Sequence, residues 1–271
     1  GGTKKFIPPR GQTAVLVSMD TGMLYGWKNI FSAYIELTKA GVWSNFISDT
    51  ALLRGRDSLS DYEVVYIPVM EFVRRPVLKK IEQFVRDGGT IITSDPNIFS
   101  YTLQADDVSS YRRKLFGISE CTPRQKEGKN SSIKIFGDSI SVKSYGAGCT
   151  FTALGEAEVL GRYTDGLPSA VRKRTGKGQA YFIGSGLMDI YAKNIEEGPN
   201  EDTGRYELYK SIEQQSGVAD LSWIWDINVD NIQQVTGKYE RELPAVDESI
   251  QFRLFMYPHG DRTILKYYYN E

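Results

Sequence analysis

Apolar positions follow two rhythms along the first hundred residues. Short continuous runs, Thr13-Ala14-Val15-Leu16-Val17-Ser18-Met19 and Glu63-Val64-Val65-Tyr66-Ile67-Pro68, are bounded by turn-forming residues, the pattern of strands buried on both faces. Between them Ile30, Phe31, Tyr34, Ile35, Leu37 and Thr38 recur at helical intervals and stop at Ala40-Gly41, where glycine suits a C-cap. A strand over 44–47 follows, then a polar loop with Arg54, Arg56 and Asp57. Pro76 opens a helix to residue 86 with Val77, Ile81, Phe84 and Val85 on one face; Asp87-Gly88-Gly89 closes it before the strand Thr90-Ile91-Ile92-Thr93. Alternation at this spacing predicts βαβ units, and so an α/β fold with an open parallel sheet and helices on both faces.

After Phe99 the rhythm changes. A helix over about 109–116 ends at Gly117, and two short runs, 132–136 and 139–142, flank the turn Phe136-Gly137-Asp138-Ser139. They predict an antiparallel hairpin insertion spanning about 122–152. The sheet resumes with strands over 157–163, 169–173 and 179–184, before a helix over 206–216. Beyond Val218 the composition shifts toward Trp, Tyr and charged residues. Runs 251–257 and 263–269 around Pro258-His259-Gly260-Asp261 predict a further hairpin, which at about 50 residues is short for an independent core and is expected to pack on the larger domain or on something outside this chain. The expected organisation is therefore a cloning scar or linker over 1–12, the α/β domain over 13–218 and a small C-terminal β segment over 219–271.

Composition narrows the function classes. Of 271 residues, 33 are Lys or Arg and 34 are Asp or Glu, a net charge of -1, so no overall field favours nucleic acid or an anionic membrane surface. With 41% hydrophobic residues the chain can build a core. No apolar run approaches the roughly 20 residues of a membrane helix. Cys121 and Cys149 lie in no CxxC pattern and far in sequence from His259, the single histidine, which excludes a zinc site of usual composition; neither a metal nor a cofactor is expected. The two cysteines read as buried or half-buried thiols, with one disulfide as the alternative.

Several segments, taken in order over roughly residues 12–216, resemble the middle, trimerisation domain of family 42 β-galactosidases, whose fold is similar to class I glutamine amidotransferases. They are Ala14 through Asp20 with Trp27; Leu59-Ser60-Asp61-Tyr62 running into the strand ending at Pro68; Leu78 to Gly89 running into Thr90-Ile91-Ile92; Ala157 through Val171; and Thr175-Gly176-Lys177-Gly178-Gln179-Ala180-Tyr181-Phe182-Ile183-Gly184. The resemblance implies a flavodoxin-like sheet. It also implies a role: in that family the domain follows a (β/α)8 barrel that carries the catalytic carboxylates, mediates subunit contacts and helps wall the active site, without chemistry of its own. The chain is accordingly expected to be a non-catalytic assembly or support domain of a β-galactosidase-like glycoside hydrolase, with Gly1 at a boundary inside a longer protein. Its expected partners are further copies of itself or a missing (β/α)8 catalytic domain, with carbohydrate in addition, and neither nucleic acid nor membrane. Nothing in the sequence fixes a compartment.

Several residues bear on whether the chain has chemistry of its own. An amidotransferase needs a Cys nucleophile on a tight turn after the strand 90–93, but the turn reads Thr93-Ser94-Asp95-Pro96-Asn97. A Ser94/His259 pair is the remaining, disfavoured, hydrolase reading. Because the strand ends of an open α/β sheet converge on one edge, Asp20, Glu71, Ser94 and Asp95 form a candidate ligand-binding set; helix capping and loop solvation are the competing reading. Gly176-Lys177-Gly178 lacks the spacing of a phosphate-binding loop and reads as a turn between strands. Trp223 and Trp225 share one strand face, as a carbohydrate platform or as an interface or core pair.

Overall fold

The computed structural model describes residues 11–124, 130–135, 138–143, 148–185, 187, 204–218, 224–225, 252–259 and 262–269. They fall into two compact units, one within Arg10–Ala219 and one within Asp220–Glu271.

The larger unit begins β1 (Thr13–Val17), α1 (Met19–Tyr25), α2 (Lys28–Lys39), β2 (Ser44–Ser48), α3 (Asp49–Leu53), β3 (Val64–Tyr66), α4 (Arg75–Asp87) and β4 (Thr90–Thr93). After α5 (Ser110–Phe116) come the short β5 (Thr122–Pro123), β6 (Asn130–Ile135), β7 (Asp138–Lys143), β8 (Cys149–Thr150), β9 (Glu158–Tyr163), β10 (Pro168–Thr175), β11 (Gly178–Ile183) and α6 (Arg205–Gln215). Nine strands form one sheet in the order β2-β1-β3-β4-β11-β10-β9-β6-β7. From β2 to β11 neighbours run parallel, as the sequence predicts; from β11 to β7 every pairing is antiparallel. The predicted hairpin, β6 and β7, does not stand apart. It extends the sheet, with Ser131 opposite Tyr163 and Ile133 opposite Gly161. Residues 136 and 137 of its expected turn lie outside the described residues.

The continuous apolar runs are explained by cover on both faces. Ala14, Leu16, Val65, Ile67, Ile91, Ala180 and Phe182 face a core built with α3, α4 and α5. Their chain neighbours Val15, Val64, Tyr66, Ile92, Tyr181 and Ile183 face a second core built with α2 and α6. On α4 the buried positions are Val77, Leu78, Ile81, Phe84 and Val85, the stripe expected of a core-facing helix, and Gly88 ends it at φ 131°. Aromatic rings run through the first core: Phe99–Phe116, Phe116–Phe182 and Phe182–Phe151 lie 6.0, 6.1 and 5.1 Å apart.

The Gly176-Lys177-Gly178 segment is the β10–β11 turn. Gly176 has φ 63°, the Lys177 N–H donates to the Arg86 carbonyl at 3.0 Å, and a Cβ on Gly178 would stand 2.2 Å from the Gly89 and Val85 carbonyl oxygens. Its glycines let a hairpin close against the end of α4, which no side chain at 178 would permit.

Polar groups are buried where α6 lies on the sheet. Arg205 pairs with Glu36 of α2 at 3.3 Å, both almost fully buried. The Thr13 hydroxyl donates to Glu213, and the Tyr66 phenol lies beside that carboxyl. Burial pushes Glu213 up to about 7. The Tyr66 and Tyr209 rings meet edge to face at 5.8 Å.

The smaller unit is an antiparallel sheet, β12 (Ile224–Trp225), β13 (Phe252–His259) and β14 (Arg262–Tyr269), in the order β12-β13-β14. The β13–β14 ladder extends to His259 opposite Arg262, so Pro258 and His259 belong to the strand and not to the turn expected from the sequence.

Candidate functional site

Because β1, β2, β3 and β4 are parallel, their C-terminal ends share one edge of the sheet. Asp20, Asp49, Glu71 and Asp95 each follow one of these ends. Asp49 was not among the sequence candidates, although the rule that selected Asp20 and Asp95 applies to it. Its place directly after Ser48 was legible.

Ser18 caps α1, accepting from the Thr21 N–H at 3.2 Å. The Ser18 and Thr21 hydroxyls each reach the Phe72 carbonyl at 3.1 Å, and the Phe72 N–H donates to Thr21 Oγ1 at 3.0 Å, stitching the β1 loop to the β3 loop. Asp20 is buried and receives both arms of a guanidinium: Arg74 Nε at 2.9 Å and Nη2 at 2.7 Å. Arg74 carries no sequence signal as a partner, because only the fold brings the loop before α4 against α1. Asp49 Oδ2 accepts the Met19 N–H at 3.2 Å. Burial raises the Asp49 carboxyl above the usual range, and neighbouring Asp20 adds to the rise.

Asp95 is buried and its two oxygens are both engaged: Oδ2 accepts the Met70 N–H at 2.8 Å and Oδ1 the Asn97 N–H at 2.9 Å. Burial pushes it up to about 6, against the opposing pull of those two N–H groups. Glu71 is half-buried beside the exposed Tyr25 phenol, which partial burial and then the Glu71 carboxylate raise above its ordinary range. The Tyr25, Phe72 and Tyr101 rings form a row with both spacings 6.2 Å, and Tyr25 and Tyr101 are exposed.

The structure thus gathers Asp20, Glu71, Ser94 and Asp95 at one edge, but it does not arrange them as a catalytic set. Asp20 is held by Arg74, and Asp95 by backbone N–H groups. Ser94 is buried, and among the described non-glycine residues positive φ occurs only at Phe99 and Ala105, so Ser94 does not sit on the strained turn of a nucleophile elbow. His259, its conceivable base, belongs to the other unit. Among the described residues no group of three or more His, Cys, Asp or Glu side chains is placed to hold a metal ion. Trp225 lies in β12, whereas Trp223 is outside the described residues.

Comparison with known proteins gives a consistent picture. The family described as "Beta-galactosidase trimerisation domain" matches residues 23–219. Beta-galactosidase LacA of Lactobacillus acidophilus is 26% identical over 178 residues, which are 61% of this chain and 24% of that protein. Among solved structures, a catalytic mutant of Gan42B, a GH42 beta-galactosidase from G. stearothermophilus, superposes with a TM-score of 0.60 at 14% identity, covering 91% of this chain and 33% of that one. The beta-galactosidase from Bacillus circulans sp. alkalophilus gives 0.58 at 19% identity, covering 90% and 33%. The chain therefore spans between about a quarter and a third of the length of these relatives.

Proposed function

The chain belongs to the family of β-galactosidase trimerisation domains, and from that premise we propose that it works as the assembly and support module of a β-galactosidase-like glycoside hydrolase. In this reading its partners are further copies of itself and a (β/α)8 domain that supplies the catalytic carboxylates. The observation that carries it is the family match over residues 23–219. The state of the strand-end acids supports it: hydrolysis of a glycoside needs two carboxylates free to face a sugar, one as acid and one as nucleophile or base, and Asp20 and Asp95 have their oxygens committed within the fold. Size-exclusion chromatography with light scattering tests the assembly role. A concentration-dependent oligomer is expected, and a strict monomer at high concentration would overturn it.

A second reading is favoured by the ring row Tyr25–Phe72–Tyr101 beside Glu71, its two outer rings exposed and Phe72 half-buried. Apolar faces of sugars stack on aromatic rings while a carboxylate accepts their hydroxyls, so the strand-end edge with Asp20, Glu71, Ser94 and Asp95 would serve as a carbohydrate or small-ligand contact. Titration calorimetry with galactosides, glucosides and uronates decides it. Heat that disappears in Glu71→Ala supports the contact, and no heat with any of them removes it.

A further inference from the structure

Cys121 and Cys149 are the only cysteines of the chain, and the fold brings them together. Cys149 opens β8, is 2% exposed and belongs to the core on the α4 and α5 face; Cys121 is half-buried and packs against the same core. In the β5–β8 pairing Thr122 stands opposite Thr150 and Pro123 opposite Cys149, which places Cys121 on the diagonal to Cys149. Cys121 stands close enough to raise the Cys149 thiol above its ordinary range, and neither cysteine is in a disulfide.

The two sides of the pair differ in exposure. Cys149 is fixed: its N–H donates to the Gly184 carbonyl at 2.7 Å, and its own carbonyl accepts the Tyr163 hydroxyl at 3.0 Å. Cys121 leads into a two-residue strand whose Thr122 and Pro123 are exposed. Closure to a covalent bond of about 2.05 Å would draw Cys121, on the exposed side, toward Cys149.

We propose that Cys121 and Cys149 are a reversible dithiol site, oxidised by a low-molecular-weight disulfide such as glutathione disulfide to an intramolecular bond. The half-buried Cys121 reacts first. Its thiolate attacks one sulfur of glutathione disulfide, the S–S bond of the reagent breaks, and the departing glutathione thiolate takes a proton from water. Cys149 then gives up its proton and attacks the Cys121 sulfur of the mixed disulfide, expelling the second glutathione. Two protein thiols and one glutathione disulfide become one protein disulfide and two glutathione molecules; the protein gives up two electrons and two protons. The contact with Cys121, and then burial, hold the Cys149 thiol well above its ordinary range, which fits it to the second step and not the first. The new bond would pin β5 to β8 and close the segment that holds β6 and β7, the far edge of the nine-stranded sheet.

The experiment is incubation of the full chain with glutathione disulfide, followed by intact-mass analysis, thiol counting after denaturation and a peptide map. The expected product has lost two hydrogen atoms, carries no glutathione, contains no free thiol, melts several degrees higher and reverts with dithiothreitol. Cys149→Ser should stop at one stable glutathione adduct on Cys121, and Cys121→Ser should stay unmodified while native. A wild-type chain that keeps its glutathione adduct, that links only to other chains, or whose Cys121→Ser variant reacts as fast would overturn the proposal. Should a variant fail to fold, the wild-type peptide map alone decides, through presence or absence of the peptide joining Cys121 to Cys149.

Discussion

The strand-end edge and the seam beneath α6 both bury acids, and they satisfy them in opposite ways. At the edge, Asp20 meets a guanidinium that is itself 41% exposed, and Asp95 meets two backbone N–H groups within loops. At the seam, Glu36 meets Arg205 with both side chains out of water, and Glu213 meets only hydroxyl groups. An edge open to solvent leaves charge cheap to keep, whereas a seam between helix and sheet must either pair a charge completely or neutralise it. The edge is where a parallel sheet ordinarily does chemistry, and here Asp20 and Asp95 make hydrogen bonds that join its loops. The seam carries the larger share of electrostatic risk to stability.

Three experiments sharpen this contrast. The largest effect belongs to Arg205→Ala, which strips the buried Glu36 of its cation and should cost about 3–5 kcal/mol in urea unfolding; a loss near that of a surface pair would mean that water reaches the seam. Next is the pH dependence of Glu213. Its folded value of about 7 lies above the ordinary 4.5, so the folded state holds the proton longer and the stabilisation is complete below about 4.5. It is lost as pH rises through about 7, amounting to roughly 3 kcal/mol. Asp95, raised from 3.8 to about 6, adds a decline of the same sign at lower pH. Stability should therefore fall from pH 5 to pH 8, and Glu213→Gln should flatten the upper part of that fall; an unchanged slope in this variant would dismiss Glu213 as its source. The smallest effect is expected at the edge, where Arg74→Ala should cost about 1 kcal/mol, since the guanidinium is well solvated. A cost equal to that at Arg205 would erase the distinction between the two regions.

Much of this was legible in the chain itself. The runs at 13–19, 63–68 and 90–93 marked strands because two-sided burial leaves no polar alternation to hide them, and Pro76 with Gly88 bounded α4 because both act through their own backbone dihedrals. The order of segments was specific enough to indicate the family. Asp20, Glu71, Ser94 and Asp95 could be placed on one edge because parallel strands end on the same side wherever their neighbours lie.

What the sequence left undecided was every pairing made across space. Asp20 with Arg74, Thr13 with Glu213, Glu36 with Arg205 and Cys121 with Cys149 join residues whose local surroundings say nothing of each other, since a hydrogen bond or a thiol contact depends on final position and not on neighbours in the chain. The same holds for the hairpin β6–β7: its strands were readable from composition, but its place at the edge of the sheet depended on β9 presenting an open row of N–H and C=O groups once β10 and β11 had folded back. Local sequence determined which elements form, because propensity and burial pattern act within a few residues; the tertiary structure alone decided which guanidinium and N–H groups the gathered acids meet, because those partners come from loops far apart in the chain.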